Sequence, residues 1–447
     1  MLKKLGTALK LIKPDRPANE PHIVAAGQHP VSPKDISKGA IEVVRTIEDS
    51  GFNAYVVGGC VRDLLLGLRP KDFDVATDAT PEQVKELFRR ARIIGRRFRI
   101  VHVRVGREVI EVTTFRAHHN GSTGKGGDLS RRSKQGMLLR DNVFGSINED
   151  ASRRDFTINA LYYHPTDNTI YDYANGLVDI ASKTLRVIGE PDYRYQEDPV
   201  RMLRAVRFAT RLNFTIDPDT ASPIANSAKL LSGVSSARLY DEMIKLFMHG
   251  YALDTWRLLR DLQLDVELFP ESMKLLDDNV FYNQFVAQAL GNTDERISRG
   301  KHVTPAFLIA ALLWPAVCEE KKKLENQDVP AAKALQQAGA SVTSRQISRL
   351  AIPKRFSTPM REIWEFQPRL HKRGGQQAFR LLGQPRFRAA YDFLLLREQS
   401  GENIQKLGDW WTNFQDADES QRKTMVSDLG GRGSSGKRRH RPRKITS

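Results

Sequence analysis

Apolar residues recur at Ile36, Ala40, Val43, Val44 and Ile47, the three-and-four spacing of one helical face. Ser32 stands ahead of them as an N-cap, Pro33 takes the first helical position and Asp35 the first turn. Gly51 closes the run. The pattern predicts a helix from Pro33 up to Gly51. "AYVVGG" (54–59) then reads as a short strand ending in paired glycines, and "VRDLLLG" (61–67) as a helical turn stopped by Gly67. "DFDVAT" (72–77) reads as a strand. "TPEQVKELFRRAR" (80–92) reads as a helix with Thr80 as cap, Pro81 first and Gln83 completing a capping box. Alternation and β-branching make strands of "RIVHVRV" (99–105) and "EVIEVTTF" (108–115).

Residues 117–140, rich in Gly, Ser, Lys and Arg, read as a long loop, and 14–31 as linker. Beyond "TLRVIGEP" (184–191) the pattern is helical to residue 415. The class predicted is α+β, a small mixed sheet followed by a long helical region.

Composition adds a partner. The 447 residues carry 70 Lys and Arg against 53 Asp and Glu, a net charge of +17. Such a chain is built to meet a polyanion, nucleic acid ahead of an anionic membrane surface. Its length suits roughly two to four domains. Two cysteines, Cys60 and Cys318, exclude a disulfide framework beyond one bridge and favour a reducing cytoplasm. No apolar run approaches a membrane span. The start, "MLKKLGTALKLIKP", lacks a signal core. It reads as a loose basic arm, with weak peripheral membrane contact through Leu2, Leu5, Leu9 and Ile12 as the alternative.

Four stretches carry candidate chemistry. In "VVGGCVRD", Gly58 and Gly59 let backbone N–H groups approach an anion, a helix N-terminus follows, and Arg62 adds a donor. In "RPKDFDVATDATP" (69–81), Asp72 and Asp74 stand one residue apart. On a strand both carboxylates share a face, a repulsive arrangement that a divalent cation relieves. A third acid would complete a two-metal arrangement, and the choice between Glu111 in "VIEVTTFR" and Asp155 in "RRDFTINAL" is open. Asp155 also reads as a cap paired with Arg153 and Arg154. Finally, "QEDPVRMLRAVRFATRLNF" (196–214) opens a helix at Asp198–Pro199. Met202, Ala205, Val206, Ala209 and Leu212 form its apolar face, and Arg201, Arg204, Arg207 and Arg211 recur on the other side.

Taken in order, "GGCVRDLLLG", "PKDFDVAT", "RRDFTINAL" and "EDPVRMLRAVRF" resemble the successive motifs of the class II nucleotidyltransferases, which include bacterial poly(A) polymerases and tRNA CCA-adding enzymes. "IIGRRFRIVHV" (93–103), "LAIPKRF", "RFRAAYDFLLLRE" and the Arg-rich end resemble the polymerase branch, and extend the likeness over most of 30–447. Cys60 departs from the pattern, where a third glycine is expected.

The resemblance implies an arm and linker (1–31), a nucleotidyltransferase head (32–165), a neck for base and RNA (166–250), a helical RNA-binding body (251–415) and a disordered Arg-rich tail (416–447). It implies a monomeric cytoplasmic enzyme that adds AMP from ATP to RNA 3′ ends, marking transcripts for the RNA-decay machinery. Asp72 and Asp74 would bind Mg²⁺, with Glu111 or Asp155 as the third acid. Gly58, Gly59 and Arg62 would cradle phosphates. Arg154, Arg201 and Arg204 would reach the nucleotide, and Asp198 and Arg201 would read the base. A CCA-adding enzyme is the near alternative, and a catalytically inactive RNA-binding protein the distant one.

Overall fold

The computed structural model describes residues 20–95, 99–117, 130–132, 138–141, 143–404 and 406–430. The chain divides into two compact units: residues 1–234 with 261–264, and 235–260 with 265–447. The basic arm, most of the Gly-rich loop, Arg96–Phe98 and the tail from 431 onward lie outside the described residues.

The first unit is built on one eight-stranded sheet, in the order β1-β10-β9-β2-β3-β6-β5-β4. Its strands are β1 (His22–Val24), β2 (Ala54–Val57), β3 (Asp74–Thr77), β4 (Ala91–Ile94), β5 (Ile100–Val105), β6 (Glu108–Thr114), β9 (Leu161–His164) and β10 (Thr169–Asp172). Two more, β7 (Ser130–Arg132) and β8 (Leu138–Asp141), form a separate ladder inside the stretch expected to be loop. The β3–β6 pair is parallel and the other pairs of the large sheet are antiparallel, so the sheet is mixed as predicted.

Local chemistry moves several boundaries. The first helix, α1, begins at Lys38 and runs to Asp49. Ser32 and Asp35 do form a capping box, but over a single 3₁₀ turn, Pro33–Asp35. Ile36 is then extended, and Ser37 caps α1 by accepting from Ala40 N. Its buried face is Gly39, Ala40, Val43, Val44 and Ile47. The helix at Thr80, α3 (Pro81–Leu87), has the expected box with Gln83 but stops early, because Ala91 and Arg92 belong to β4. The segment read as linker supplies β1, paired with β10.

Alternation along β2 puts Tyr55 and Val57 on one face, where they pack with Ala76, Phe115, Ala151, Ala160 and Tyr162. Also in this unit are α2 (Gly59–Leu65), α4 (Ile147–Arg153), α5 (Gly176–Ser182), α6 (Pro191–Glu197) and α7 (Val200–Leu212).

The second unit is helical, with long helices α8 (Ser236–Phe247), α9 (Val280–Ser298), α10 (Pro305–Glu325), α11 (Ala331–Arg349), α12 (Lys354–Leu370), α13 (Phe387–Gln399) and α14 (Leu407–Asp416). Buried Trp364 and Trp411 donate their indole N–H groups to Ala310 O (3.1 Å) and Leu370 O (3.0 Å), tying neighbouring helices. The tail is helical at its start: α15 (Glu419–Gly430) follows an Asp418–Gln421 capping pair, so 416–430 is not uniformly disordered. Among the described residues no helix is long and apolar enough to cross a membrane. Both cysteines are free thiols.

Candidate active site

Sheet register assembles the acids. Asp74 opens β3 and pairs with Val57 on one side and Glu111 on the other; Glu111 pairs in turn with His102 of β5. Directly opposed residues share a face of the sheet. Asp74, Glu111 and His102 therefore lie in one row, and His102 Nε2 contacts Glu111 Oε1 at 3.2 Å. Asp72 is exposed and precedes the strand, so alternation does not align it with Asp74. Electrostatics join them all the same. Burial pushes the Asp74 carboxyl up to about 6, Glu111 and Asp72 add to the shift, and Arg154 opposes it. Among the described residues no group of three or more His, Cys, Asp or Glu side chains is spaced to hold a metal ion by itself.

The paired glycines sit where β2 ends, one residue beyond Asp74's partner. Gly58 has φ +84°, a conformation glycine adopts at little cost, and it precedes α2. A Cβ there would meet Arg154 Nη1 at 3.3 Å, so the Arg154 guanidinium lies against the turn. Arg154 is held by Asp150 Oδ2 (Nε 3.2 Å, Nη2 3.0 Å) and by the Tyr162 hydroxyl (3.0 Å), which itself donates to Asp150 Oδ2 at 2.6 Å. Cys60 is buried and donates to Val57 O at 3.2 Å; burial pushes its thiol up to about 12, leaving an inert side chain.

Arg62 does not extend toward solvent. It is 2% exposed, and donates to Asp63 Oδ1 through Nε (2.8 Å) and Nη2 (2.5 Å) and to Asn159 Oδ1 through Nη1 (2.5 Å). Its fork supports the glycine turn from inside, with Nη2 at 3.4 Å from where a Gly59 Cβ would stand.

Asp155 also faces inward. One oxygen accepts from Phe156 N (2.8 Å) and Asn159 Nδ2 (3.0 Å), the other from Arg204 Nε (2.7 Å) and Nη2. Burial opposes the charge, but Arg204 and these hydrogen bonds hold the carboxyl well below the usual range. Asp155 is thus paired with Arg204 of α7, where the sequence suggested Arg153 and Arg154, and Glu111 is the acid opposite Asp74 in the sheet.

On the same helix Arg201 donates from Nη1 to Glu197 Oε2 (2.7 Å) and Arg194 O (2.8 Å), while Asp198 ends α6. Arg194 pairs with Glu197 at 2.8 Å and donates to the carbonyls of Arg153 (2.6 Å) and Arg154 (2.5 Å), closing the end of α4 with a cation. Burial, with Arg201 nearby, lowers Arg194 to about 10.

Sequence reading passed over Asp150, Asn159, Arg194 and Glu197. A spacing signal existed for two of them: Asp150 stands four residues before Arg154 and Glu197 four before Arg201, the separation at which helical side chains meet.

Comparison with known proteins supplies the family. Family models match residues 54–186 (Poly A polymerase head domain), 213–276 (Probable RNA and SrmB-binding site of polymerase A) and 327–445 (Polymerase A arginine-rich C-terminus). Poly(A) polymerase I of Salmonella typhimurium is 47% identical over 431 residues, 95% of this chain and 92% of its own. A CCA-adding enzyme of Lactobacillus helveticus is 38% identical over 244 residues, 54% of this chain and 58% of its own. The solved Thermotoga maritima CCA-adding enzyme complexed with tRNA aligns at a TM-score of 0.56 with 18% identity, over 91% of this chain and 99% of that one, a likeness of fold.

Proposed function

The chain belongs to the poly(A) polymerase family, and on that premise we propose how its head carries out the chemistry. It is a nucleotidyltransferase that adds adenylate from ATP to RNA. The 3′-hydroxyl of the RNA attacks the α-phosphorus of ATP, the bond to the β-phosphate breaks, and pyrophosphate leaves. The observation that carries the reading is the register row: Asp74 lies between Glu111 and the strand end that delivers Gly58.

The acids fit a divalent cation. Asp74 is a half-buried hard-oxygen donor raised to about 6 by burial and by two neighbouring carboxylates, and Arg154 offsets that repulsion only in part. Mg²⁺ takes few protein ligands and fills its shell with water and substrate phosphate, so the lack of a closed three-ligand cage is no obstacle. Asp72 and Asp74 would hold it, with Glu111 as the third acid. Bound there, the ion would neutralise the triphosphate and lower the pKa of the 3′-hydroxyl. The Gly58 N–H is taken by Leu161 O (3.1 Å), so the first-turn N–H of Gly59 would meet the phosphates, with Arg154 beside the turn as their cation and Arg62 bracing it.

Arg201 is our candidate reader of the base. Glu197 and Arg194 O engage only Nη1, leaving the Nε and Nη2 hydrogens for an acceptor edge. Arg201→Ala should weaken ATP use and blur discrimination among nucleotides by about 1–3 kcal/mol. Unchanged ATP preference in steady-state incorporation would remove this arginine from base recognition.

The basic tail contributes charge. Residues 432–447 hold Arg432, Lys437, Arg438, Arg439, Arg441, Arg443 and Lys444 and no acid. Each cation that meets a phosphate of single-stranded RNA steepens the log–log salt dependence by about 0.7. Deleting 432–447 should flatten that slope and raise the RNA KM, with the rate on saturating RNA close to wild type. Equal slopes for both proteins would move RNA binding to the rest of the chain.

A CCA-adding reading has less support, since the polymerase relative aligns over 95% of this chain and the CCA-adding relative over 54%. The test is a tRNA lacking its 3′ end, offered with CTP alone and with CTP plus ATP. Our reading predicts no cytidine incorporation; ordered addition of C, C and A would overturn it. Two free thiols and the polyanionic substrate fit a reducing cytoplasm.

A further inference from the structure

Arg204 and Arg211 lie seven residues apart on α7, two turns along one face. Both reach back to the sheet side of the unit, and the groups they meet are joined. Arg204 donates to Asp155 Oδ2 at 2.7 Å. Asp155 Oδ1 accepts from Asn159 Nδ2 at 3.0 Å, and Asn159 Oδ1 accepts from Arg62 Nη1 at 2.5 Å. Arg62 donates to Asp63 Oδ1, and Asp63 Oδ2 accepts from Arg211 Nη2 at 3.2 Å. The chain of contacts leaves α7 and returns to it, a closed ring of alternating donors and acceptors. Phe208 stands midway between the two arginines of α7, with Arg62 and Arg204 at 5.0 and 5.3 Å from its ring centroid.

Asn159 is the one uncharged side chain in the ring and is 6% exposed. It must accept from a guanidinium that cannot accept and donate to a carboxylate that cannot donate. A single amide orientation does both, and Asn is the short side chain that carries both functions. Arg62, on one side of it, supports Gly59 of the glycine turn. Arg204, on the other, lies one turn from Arg201.

We propose that Asn159 is a positioning residue for nucleotide selection: through the ring it fixes the glycine turn that receives the triphosphate against α7, which reads the base. The inference rests on the reading above, in which phosphates meet the turn and the base meets α7. A nucleotide held by its phosphates then presents its base at a set distance and angle, and discrimination depends on that register. Loosening the register should lower selectivity with no change in any group that touches the nucleotide.

Asn159→Asp preserves shape and the acceptor for Arg62 but places a second carboxylate against Asp155, so the ring opens there. Arg211→Met opens it at its exposed end, two turns from Arg204, and is the variant to use if Asn159→Asp does not fold. The readout is kcat/KM for ATP and for CTP, with the KM for RNA and the melting temperature measured alongside. The ATP:CTP ratio should fall about 10–100-fold in Asn159→Asp, mainly through a raised ATP KM, and about 3–10-fold in Arg211→Met. The RNA KM should stay at the wild-type value. The double variant should be no less selective than Asn159→Asp alone, because a ring opened once has no second lock to lose. Wild-type ATP:CTP ratios in folded single variants would overturn the inference and leave the reading intact. Wild-type protein that does not prefer ATP would overturn both.

Discussion

Asp74→Asn should cut adenylate incorporation by about 10³-fold or more, while making the ligand-free protein more stable above pH 6. The two effects have one cause. An Asp carboxyl ordinarily titrates near 3.8; in this fold burial pushes it up to about 6, with Glu111 and Asp72 adding to the shift. Below the ordinary value both folded and unfolded chains are protonated, and the site costs nothing in charge. As pH rises toward 6 the unfolded chain releases the proton before the folded one, so stability falls with pH. Above 6 the whole penalty is present, on the order of 2–3 kcal/mol. An amide removes that penalty and with it the ligand a cation needs. Denaturant unfolding with a chelator at pH 4 and pH 7.5 checks this: the variant should gain at pH 7.5 and not at pH 4. A variant destabilised at both would mean that Asp74 is not held in a repulsive cluster.

Arg154 should separate stability from catalysis. Arg154→Met leaves Asp150 with the Tyr162 hydroxyl at 2.6 Å, Arg116 N at 3.3 Å and the Arg116 guanidinium nearby, but without its bidentate partner. Breaking such a pair costs about 2–4 kcal/mol, allowing for the partial exposure of Arg154. In a unit of this size that corresponds to a melting drop of roughly 5–12 °C. Adding Asp150→Asn should recover part of the stability, because the carboxylate short of its main cation is then gone, while the Arg116 guanidinium loses the charge it faces. Incorporation should not recover, staying about 10²–10³-fold down, since the cation beside Gly58 is still missing. If the double variant regains turnover, Arg154 serves the fold alone.

Much of this site was legible from residue order. Gly58 needed a positive φ, and the glycine pair read as a turn is one. The cap read at Ser32 and the capping box read at Thr80 are both formed. What misled was competition between signals at short range. Ser32 and Ser37 are both good caps, and the extended Ile36 between them gave the helix to the second. The basic run after Leu87 looked helical, but pairing with β5 draws Ala91–Ile94 into the sheet. The edge strand β1 carries little pattern in three residues and owes its state to β10.

The inward arginines were illegible for a different reason. Sequence does not reveal that Asp63 and Asn159 hold Arg62 from within, or that Glu197 takes one nitrogen of Arg201, Nη1, and leaves the others. Register hid the other half of the answer. Asp72 and Asp74 looked paired by alternation, whereas the structure pairs Asp74 with Glu111, across a strand contact between residues 37 positions apart. Non-local pairing of that kind leaves no trace in local periodicity.

The most direct test of the account is an incorporation assay on a generic RNA with an unstructured 3′ end, with Mg²⁺ and each of the four nucleoside triphosphates supplied alone. The account predicts a long homopolymer from ATP, one pyrophosphate released per adenylate added, and little or no product from the other three. Equal extension by all four, a stop after a few cytidines, or no product from ATP would contradict it.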